Sequence, residues 1–312
     1  MVKFSRPTIR LASRSSRLAL WQAEHVADRL REAAPEVAVE IVHVTTVGDR
    51  DQTGALRSFG GLGVFTREVQ RAVLEGEADL AVHSLKDLPT ESVPGLCLGA
   101  VPEREETADV LLLPNMAARL ESLDQLAQGV RLGTGSLRRQ AQLRHIRPDL
   151  QVGEVRGNVE TRIRKLDEGE YDAIVLALAG LKRLGLSDRV SLVLGPPQMF
   201  AAVGQGALGI ECRQDDVELL EVLQLLNDPP TRQRITAERT LLARLRAGCH
   251  APVGVATEVV GSDVSLEAVV LDPSGAERLV AKSQGSDPEV LGAQVAEQLL
   301  TLGADRLIAA PR

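Results

Sequence analysis

The segment TIRLASRSSRLALWQAEHVADRLREAAPEVAVEIVHVT, residues 8–45, decides the fold. Its ends, Thr8 to Ala12 and Val37 to Thr45, have the apolar and β-branched content of strands. Between them Leu18, Trp21, Val26 and Leu30 recur at helical spacing behind a Ser-rich start at Ser13, Ser15 and Ser16, where hydroxyls suit a helix N-terminus. The reading is a βαβ unit, and a parallel pair joined by a helix implies an α/β domain.

Working outward, Asp79 to His83 continues the first block as a further strand. After the charged stretch Glu103 to Glu106 a second block begins, with strands expected at Asp109 to Leu113 and Val130 to Gly133. Asp172 to Ala179 is a near-continuous apolar run, as a central strand buried on both faces requires. This block closes near Gly195-Pro-Pro197. Asn227-Asp-Pro-Pro230 marks a boundary, followed by a helix from Thr231 to about Ala247 and hairpin strands around Asp272-Pro-Ser-Gly275. A closing helix is expected from Pro288 through Leu300, with Gly303 just past its end.

Fold class is therefore α/β: two Rossmann-like, periplasmic-binding-protein-like lobes around a cleft, plus a small α+β third domain. The boundaries are 7–103 with 201–226 for the first lobe, 104–200 for the second and 227–312 for the third domain. In such sheets ligands sit at the carboxyl ends of the strands.

At 312 residues with 44% hydrophobic content, the chain exceeds what one core usually supports. No stretch approaches the roughly 20 apolar residues of a membrane span, and no signal peptide is visible, so a soluble cytoplasmic protein is expected. A net charge of −7 and 2% aromatics argue against nucleic acid. Cys97, Cys212 and Cys249 show neither disulfide nor metal spacing, and His25, His43, His83 and His145 show no ligand spacing, so no metal is expected.

Anion binding must then rest on local basic clusters. Leu11-Ala-Ser13-Arg14-Ser-Ser16 and Leu132-Gly-Thr134-Gly-Ser136-Leu-Arg138-Arg139 share one design: a strand, a hydroxyl-rich turn with arginine, then a helix. Helix N-termini offer unpaired N–H groups, and hydroxyls with guanidinium groups complete a carboxylate or phosphate site. The plainer reading makes these hydroxyls helix caps. Ala81-Val-His-Ser84-Leu-Lys86-Asp87-Leu-Pro89 sets a serine, a lysine and an aspartate where a buried strand ends. A carboxylate there suits stabilisation of developing positive charge or proton transfer, though an ordinary turn would look the same. Gly204-Gln-Gly206-Ala-Leu-Gly209 matches GxGxxG but precedes a strand, not a helix, and Gly60-Gly-Leu-Gly63 lacks the Lys of a phosphate loop. Cys97 and Cys212 read as buried fillers. Cys249 follows a helix end, whose dipole opposes a thiolate; this argues against a protease-like nucleophile and leaves stable covalent attachment open.

Together these stretches, with Leu18 to Ala23, Arg156-Gly-Asn158, Asp172 to Arg183, Val203 to Ala207 and Gly248-Cys-His-Ala-Pro252, resemble the porphobilinogen deaminases over essentially the whole chain. The resemblance implies a transferase that polymerises four porphobilinogen molecules head to tail, with loss of ammonia, and releases hydroxymethylbilane by hydrolysis. It implies a dipyrromethane cofactor in thioether linkage to Cys249 and a catalytic carboxylate at Asp87, beside which a cationic methylene-pyrrolenine forms. It further implies cofactor and substrate contacts from Arg14, Ser16, Phe65, Ser84, Lys86, Thr134, Ser136, Arg138, Arg139, Arg156, Gly157, Arg162, Arg183 and Gln205. Each pyrrole carries an acetate and a propionate, which accounts for many arginines in an acidic protein. The substrate porphobilinogen is the partner the resemblance implies; a monomer without nucleic-acid or membrane partners is expected.

The chain departs from that pattern at Leu62, Ser58 and Val47, where basic residues are usual, and at Gly135, where serine is usual. A noncatalytic anion-binding module with two lobes is the alternative, against which count the absence of a visible signal peptide and a Cys249 that such a binder does not need; an interaction scaffold has little support from charge or aromatics.

Overall fold

The structure, a computed structural model, describes residues 4, 6–45, 66–114, 119–248 and 251–308. Phe65, Cys249 and the departures at 47, 58 and 62 lie outside them. In chain order the first elements are β1 (Thr8–Ser13), α1 (Arg17–Ala33), β2 (Ala38–His43), α2 (Arg67–Leu74), β3 (Leu80–Ser84) and β4 (Leu96–Ala100). Next come β5 (Asp109–Leu112), β6 (Arg131–Gly133), α3 (Leu137–Ile146), β7 (Gln151–Gly153), α4 (Val159–Asp167), β8 (Ala173–Ala177), α5 (Leu178–Arg183) and β9 (Leu192–Leu194). The chain finishes with β10 (Leu208–Arg213), α6 (Val217–Gln224), α7 (Pro229–Arg244), β11 (Val253–Val260), β12 (Asp263–Leu271), β13 (Arg278–Gly285), α8 (Pro288–Thr301) and α9 (Ala304–Ile308).

Two compact units result, one of residues 1–105 with 206–232 and the other of 106–205 with 233–312. The first holds a sheet ordered β2-β1-β3-β10-β4, in which β1 pairs in parallel with β2 and β3, and β10 runs antiparallel to β3 and β4. The second holds a sheet ordered β7-β6-β8-β5-β9 with the same pattern: β6 is parallel to β7 and β8, and β5 antiparallel to β8 and β9. Each sheet takes its antiparallel strand from the segment where the chain has just entered that unit. The two α/β lobes expected from the sequence are thus topological copies.

Side-chain alternation explains the layers. In the first unit Ile9, Leu11, Leu80 and Ile210 pack against Val26, Leu30, Val222 and Leu223, while Ala12 and Ala81 turn to the opposite face, against Val69 and Val73 of α2. In the second, Leu111, Ala173 and Val175 face one way toward Leu143, and Val110, Leu112, Ile174 and Leu176 face the other way toward Ile163 and Leu166. The strand read as running to Ala179 ends at Ala177, because helix α5 takes over at Leu178. Trp21 is not part of the buried face of α1: it is 38% exposed and stacks on His25 one turn away, and the core stripe is Ala23, Val26, Ala27 and Leu30.

The second unit also carries the antiparallel sheet β11-β12-β13, whose apolar face packs on Leu241, Leu245, Leu291, Val295 and Leu299. Its closing helix starts at Pro288 behind the N-cap Asp287, which accepts from the amides of Glu289 and Val290. Gly303 follows the C-cap at φ +93°, where a residue with a side chain would be strained. Among the described residues no helix is long and apolar enough to cross a membrane.

Candidate functional site

Both turns of the shared design lie at carboxyl ends of parallel strands. In the first unit Ser13 ends β1 fully buried and donates its hydroxyl to the carbonyls of Arg14 and Ala19 at 3.1 and 3.2 Å. Ser16 caps α1, its Oγ accepting from the Ala19 amide at 3.3 Å. Arg14, between them, is half-buried. The same end of the sheet carries the end of β3, where Ser84 accepts from Gln22 Nε2 of α1 at 2.8 Å. A 3-10 turn, Leu85–Asp87, follows, closed by a hydrogen bond from the Leu88 amide to the Leu85 carbonyl. Leu85 is buried under it, Lys86 is half-buried and Asp87 is exposed. The apolar anchor at Leu85 therefore fixes a turn that turns its carboxylate outward.

Behind that turn lies a buried polar cluster that sequence reasoning missed. His83 Nε2 faces Glu211 Oε2 at 3.0 Å, and Gln70 Nε2 donates to the same oxygen at 2.8 Å. Gln22 and Glu211 carried no signal of their own, since a polar residue within a helix or strand pattern does not announce a buried partner.

In the second unit β6 ends at Gly133, and Thr134 is buried with its Oγ1 accepting from the Ser136 amide at 3.3 Å. Ser136 is the N-cap residue of α3, yet its side chain makes no capping bond. Arg138 and Arg139 lie in the first turn of that helix and are 3% and 5% exposed. Both point at Asp109, at the start of antiparallel β5: Arg138 Nη1 meets Oδ2 at 2.8 Å and Arg139 Nη2 meets Oδ1 at 2.8 Å. Arg138 Nη1 also donates to the Phe200 carbonyl, and Arg139 Nη1 to the Val175 carbonyl at 3.0 Å. Gln205, expected at a ligand, is instead fully buried, with Nε2 donating to Asp109 Oδ1 at 2.8 Å and to the Thr107 carbonyl at 2.6 Å. Its side chain orients Asp109; it presents no surface to a ligand.

Burial pushes the Asp109 pKa upward, but the two guanidinium charges and their hydrogen bonds outweigh it, holding the carboxylate well below its ordinary range. Asp109 was missed because its partners stand 29 and 30 positions downstream. The available signal was an acid opening an otherwise apolar strand. Two buried guanidinium groups around one carboxylate leave a net positive charge, which a further anion would neutralise. Moreover, among the described residues the buried Nε atoms of Arg138 and Arg139 have no hydrogen-bond acceptor. A polycarboxylate group such as a dipyrromethane fits the net positive charge of this cluster.

Arg156 follows β7 and pairs with Glu154. Gly157 takes φ +109°, and a Cβ there would stand 2.5 Å from Thr161 Cγ2, so the turn requires glycine. Asn158 caps α4 by accepting from the Thr161 amide at 2.8 Å, and Arg162 Nε donates to the Gly157 carbonyl at 2.8 Å. Arg183, in the last turn of α5, is 9% exposed. Gly204, beside Gln205, is held by Glu238 of α7, whose Oε2 accepts from the Gly204 amide at 2.8 Å. The glycine-rich stretch leads into β10, as the rejection of a dinucleotide fingerprint anticipated.

The family model described as the porphobilinogen deaminase, dipyromethane cofactor binding domain matches residues 9–221, and that of the porphobilinogen deaminase C-terminal domain matches residues 232–301. A protein of Gloeobacter violaceus named porphobilinogen deaminase is 48% identical over 305 residues, covering 96% of this chain and 93% of its own length. One of Stenotrophomonas maltophilia with the same name is 48% identical over 303 residues, covering 96% of this chain and 99% of its own.

Proposed function

The chain belongs to the porphobilinogen deaminase family, and from that premise we propose which of its residues carry the family's reaction. That reaction is the transferase step of tetrapyrrole biosynthesis: four porphobilinogen molecules are joined head to tail and released as hydroxymethylbilane and ammonia. The cofactor is dipyrromethane, which supplies the nucleophilic pyrrole carbon at which the chain starts. Its attachment point in this proposal is the Cys249 sulfur.

Asp87 acts as the catalytic carboxylate. Its outward placement on the 3-10 turn lets it accept pyrrole N–H hydrogen bonds and balance the positive charge that develops on the substrate as ammonia leaves. Lys86 and Arg14 meet substrate or cofactor carboxylates, with Ser16 and Ser84 donating through hydroxyls. In the second unit Arg138 and Arg139, oriented by Asp109, offer positive charge, and Thr134 and Ser136 flank them. Arg156, Arg162 and Arg183 supply the remaining cations, while Gly157 shapes the turn between the first two. Phe65 packs on a pyrrole ring. The net positive charge around Asp109, behind a helix N-terminus, is the observation that carries this assignment.

The division into 7–103 with 201–226, 104–200 and 227–312 belongs to the same proposal, supported by the three separate sheets and by a C-terminal family model that begins at 232. So do action as a monomer in the cytoplasm and the absence of nucleic-acid or membrane partners, supported by the net charge of −7.

Intact mass with peptide mapping of the purified protein tests the attachment: the added mass belongs on Cys249, and Cys249→Ser abolishes it while Cys97→Ser keeps it. Asp87→Asn retains the fold and the bound cofactor but lowers turnover by about 10²–10⁴-fold. Turnover like that of the wild type would remove Asp87 from its role.

A further inference from the structure

The first unit brings together two cysteines that no part of the reaction uses. Cys97 of β4 and Cys212 of β10 are direct cross-strand partners in an antiparallel pair, and their sulfurs are 3.9 Å apart, in van der Waals contact. Directly opposed residues of such a pair have Cα atoms about 4.5–5.5 Å apart, inside the span a disulfide bridges, so bonding requires side-chain rotation without a shift of register. Cys212 is completely buried, while Cys97 is half-buried. Arg232, its guanidinium anchored on the Leu98 carbonyl at 3.2 Å, sets a cation near the Cys97 sulfur.

We propose that Cys97 and Cys212 form a redox-sensitive dithiol that closes to a cross-strand disulfide when the protein meets a low-molecular-weight disulfide oxidant. The Cys97 sulfur, as thiolate, attacks one sulfur of the oxidant; the oxidant's S–S bond breaks, and its other half leaves as a thiolate that takes up the proton Cys97 released. Cys212 then loses its proton and attacks the Cys97 sulfur of the mixed disulfide, expelling the second half as thiol. Two protein thiols are oxidised, one oxidant disulfide is reduced, and two small thiols leave. Burial, with the neighbouring Cys97 adding to it, pushes the Cys212 thiol up, which makes it the second reactant and makes ring closure the slow step.

The consequence lies in where the bond falls. Cys212 pairs with Leu80 at the start of β3, whereas Ser84, beside the Asp87 turn, pairs with Leu208 at the other end of β10. Oxidation therefore leaves the catalytic turn untouched. The cysteines are 115 positions apart, and the closed loop contains residues 106–205, the whole α/β sheet of the second unit. A cross-link around so long a loop restricts the unfolded chain strongly, so the oxidised protein resists heat while turning over at the same rate.

The test uses the holoenzyme, reduced and then incubated with glutathione disulfide, alkylated and mapped by mass spectrometry. Expected are loss of the Cys97 thiol followed by that of Cys212, a peptide joining Cys97 to Cys212 at completion, a melting temperature raised by about 5 °C or more and reversed by dithiothreitol, and unchanged turnover. Cys97→Ser abolishes the shift, and Cys212→Ser checks it independently. Persistence of both thiols, a glutathione adduct that stops on Cys97, or covalent dimers would each overturn the proposal.

Discussion

In the turn from β1 to α1, Ser16 caps its helix through the Ala19 amide, and Arg14 is half-buried; in the turn from β6 to α3, Ser136 holds the matching position without a capping bond, and two arginines are buried on Asp109. The sheets are topological copies, so architecture does not account for the difference. One turn is held by a local hydrogen bond, the other by an ion triad that spans sequence. A helix N-terminus in the second unit can thus leave its hydroxyl for a ligand, because the triad has taken over the structural work. In the first unit the Ser16 hydroxyl is engaged in the helix cap.

The sharpest way to break this comparison is Asp109→Asn. It leaves two buried guanidinium groups without their carboxylate, and losing one partner of a buried ion network destabilises by about 3–5 kcal/mol. Denaturant unfolding followed by hydrogen exchange should place the loss in the second unit. A loss below about 1 kcal/mol would show that the triad does not hold the turn. The pH dependence has a definite sign: the folded pKa of Asp109 lies below its unfolded value, so its stabilisation is complete above about pH 4 and disappears only as pH falls through the depressed folded value. Asp109→Asn should therefore flatten the acid limb of the stability profile and leave the region from pH 6 to about 8 parallel to wild type.

How much of this was legible beforehand follows from distance along the chain. The βαβ unit at residues 8–45 and the buried strand at Ala173–Ala177 were readable because their signals are local periodicities, and the N-terminus of α8 because Pro288 and its neighbours form a local cap. The short strands Gln151–Gly153 and Leu192–Leu194 were not, since three residues carry no periodicity, whereas the equally short Arg131–Gly133 was marked by the hydroxyl-rich turn that follows it. At the site, both hydroxyl-arginine turns were visible as motifs. Their partners were not: Asp109 reaches Arg138 only once β5 lies antiparallel to β8, and Gln22 reaches Ser84 across 62 positions. Trp21 misled for the opposite reason, its apolar character being satisfied by stacking on His25 at the surface.

A smaller effect sharpens the first half of the comparison. Ser16→Ala removes the side-chain acceptor for the Ala19 amide and should lower the stability of the first unit by about 1 kcal/mol, the usual worth of an N-cap hydroxyl. The same unfolding measurement reads it. No change would mean that water replaces the serine at that helix end.

Ser136→Ala is expected to have the smallest effect on stability and is the most informative for that reason. Its hydroxyl makes no capping bond, so the usual N-cap penalty has nothing to act on, and the second unit should keep its stability to within about 0.5 kcal/mol. If the hydroxyl instead donates to a carboxylate of the substrate, the variant should show a raised KM with kcat little changed, because the lost bond is present in both the bound and the reacting state. Equal effects of Ser16→Ala and Ser136→Ala on stability would erase the distinction between the two turns. Unequal stability with a KM effect at Ser136 would fix it, showing that the triad around Asp109 frees a helix N-terminus for the ligand.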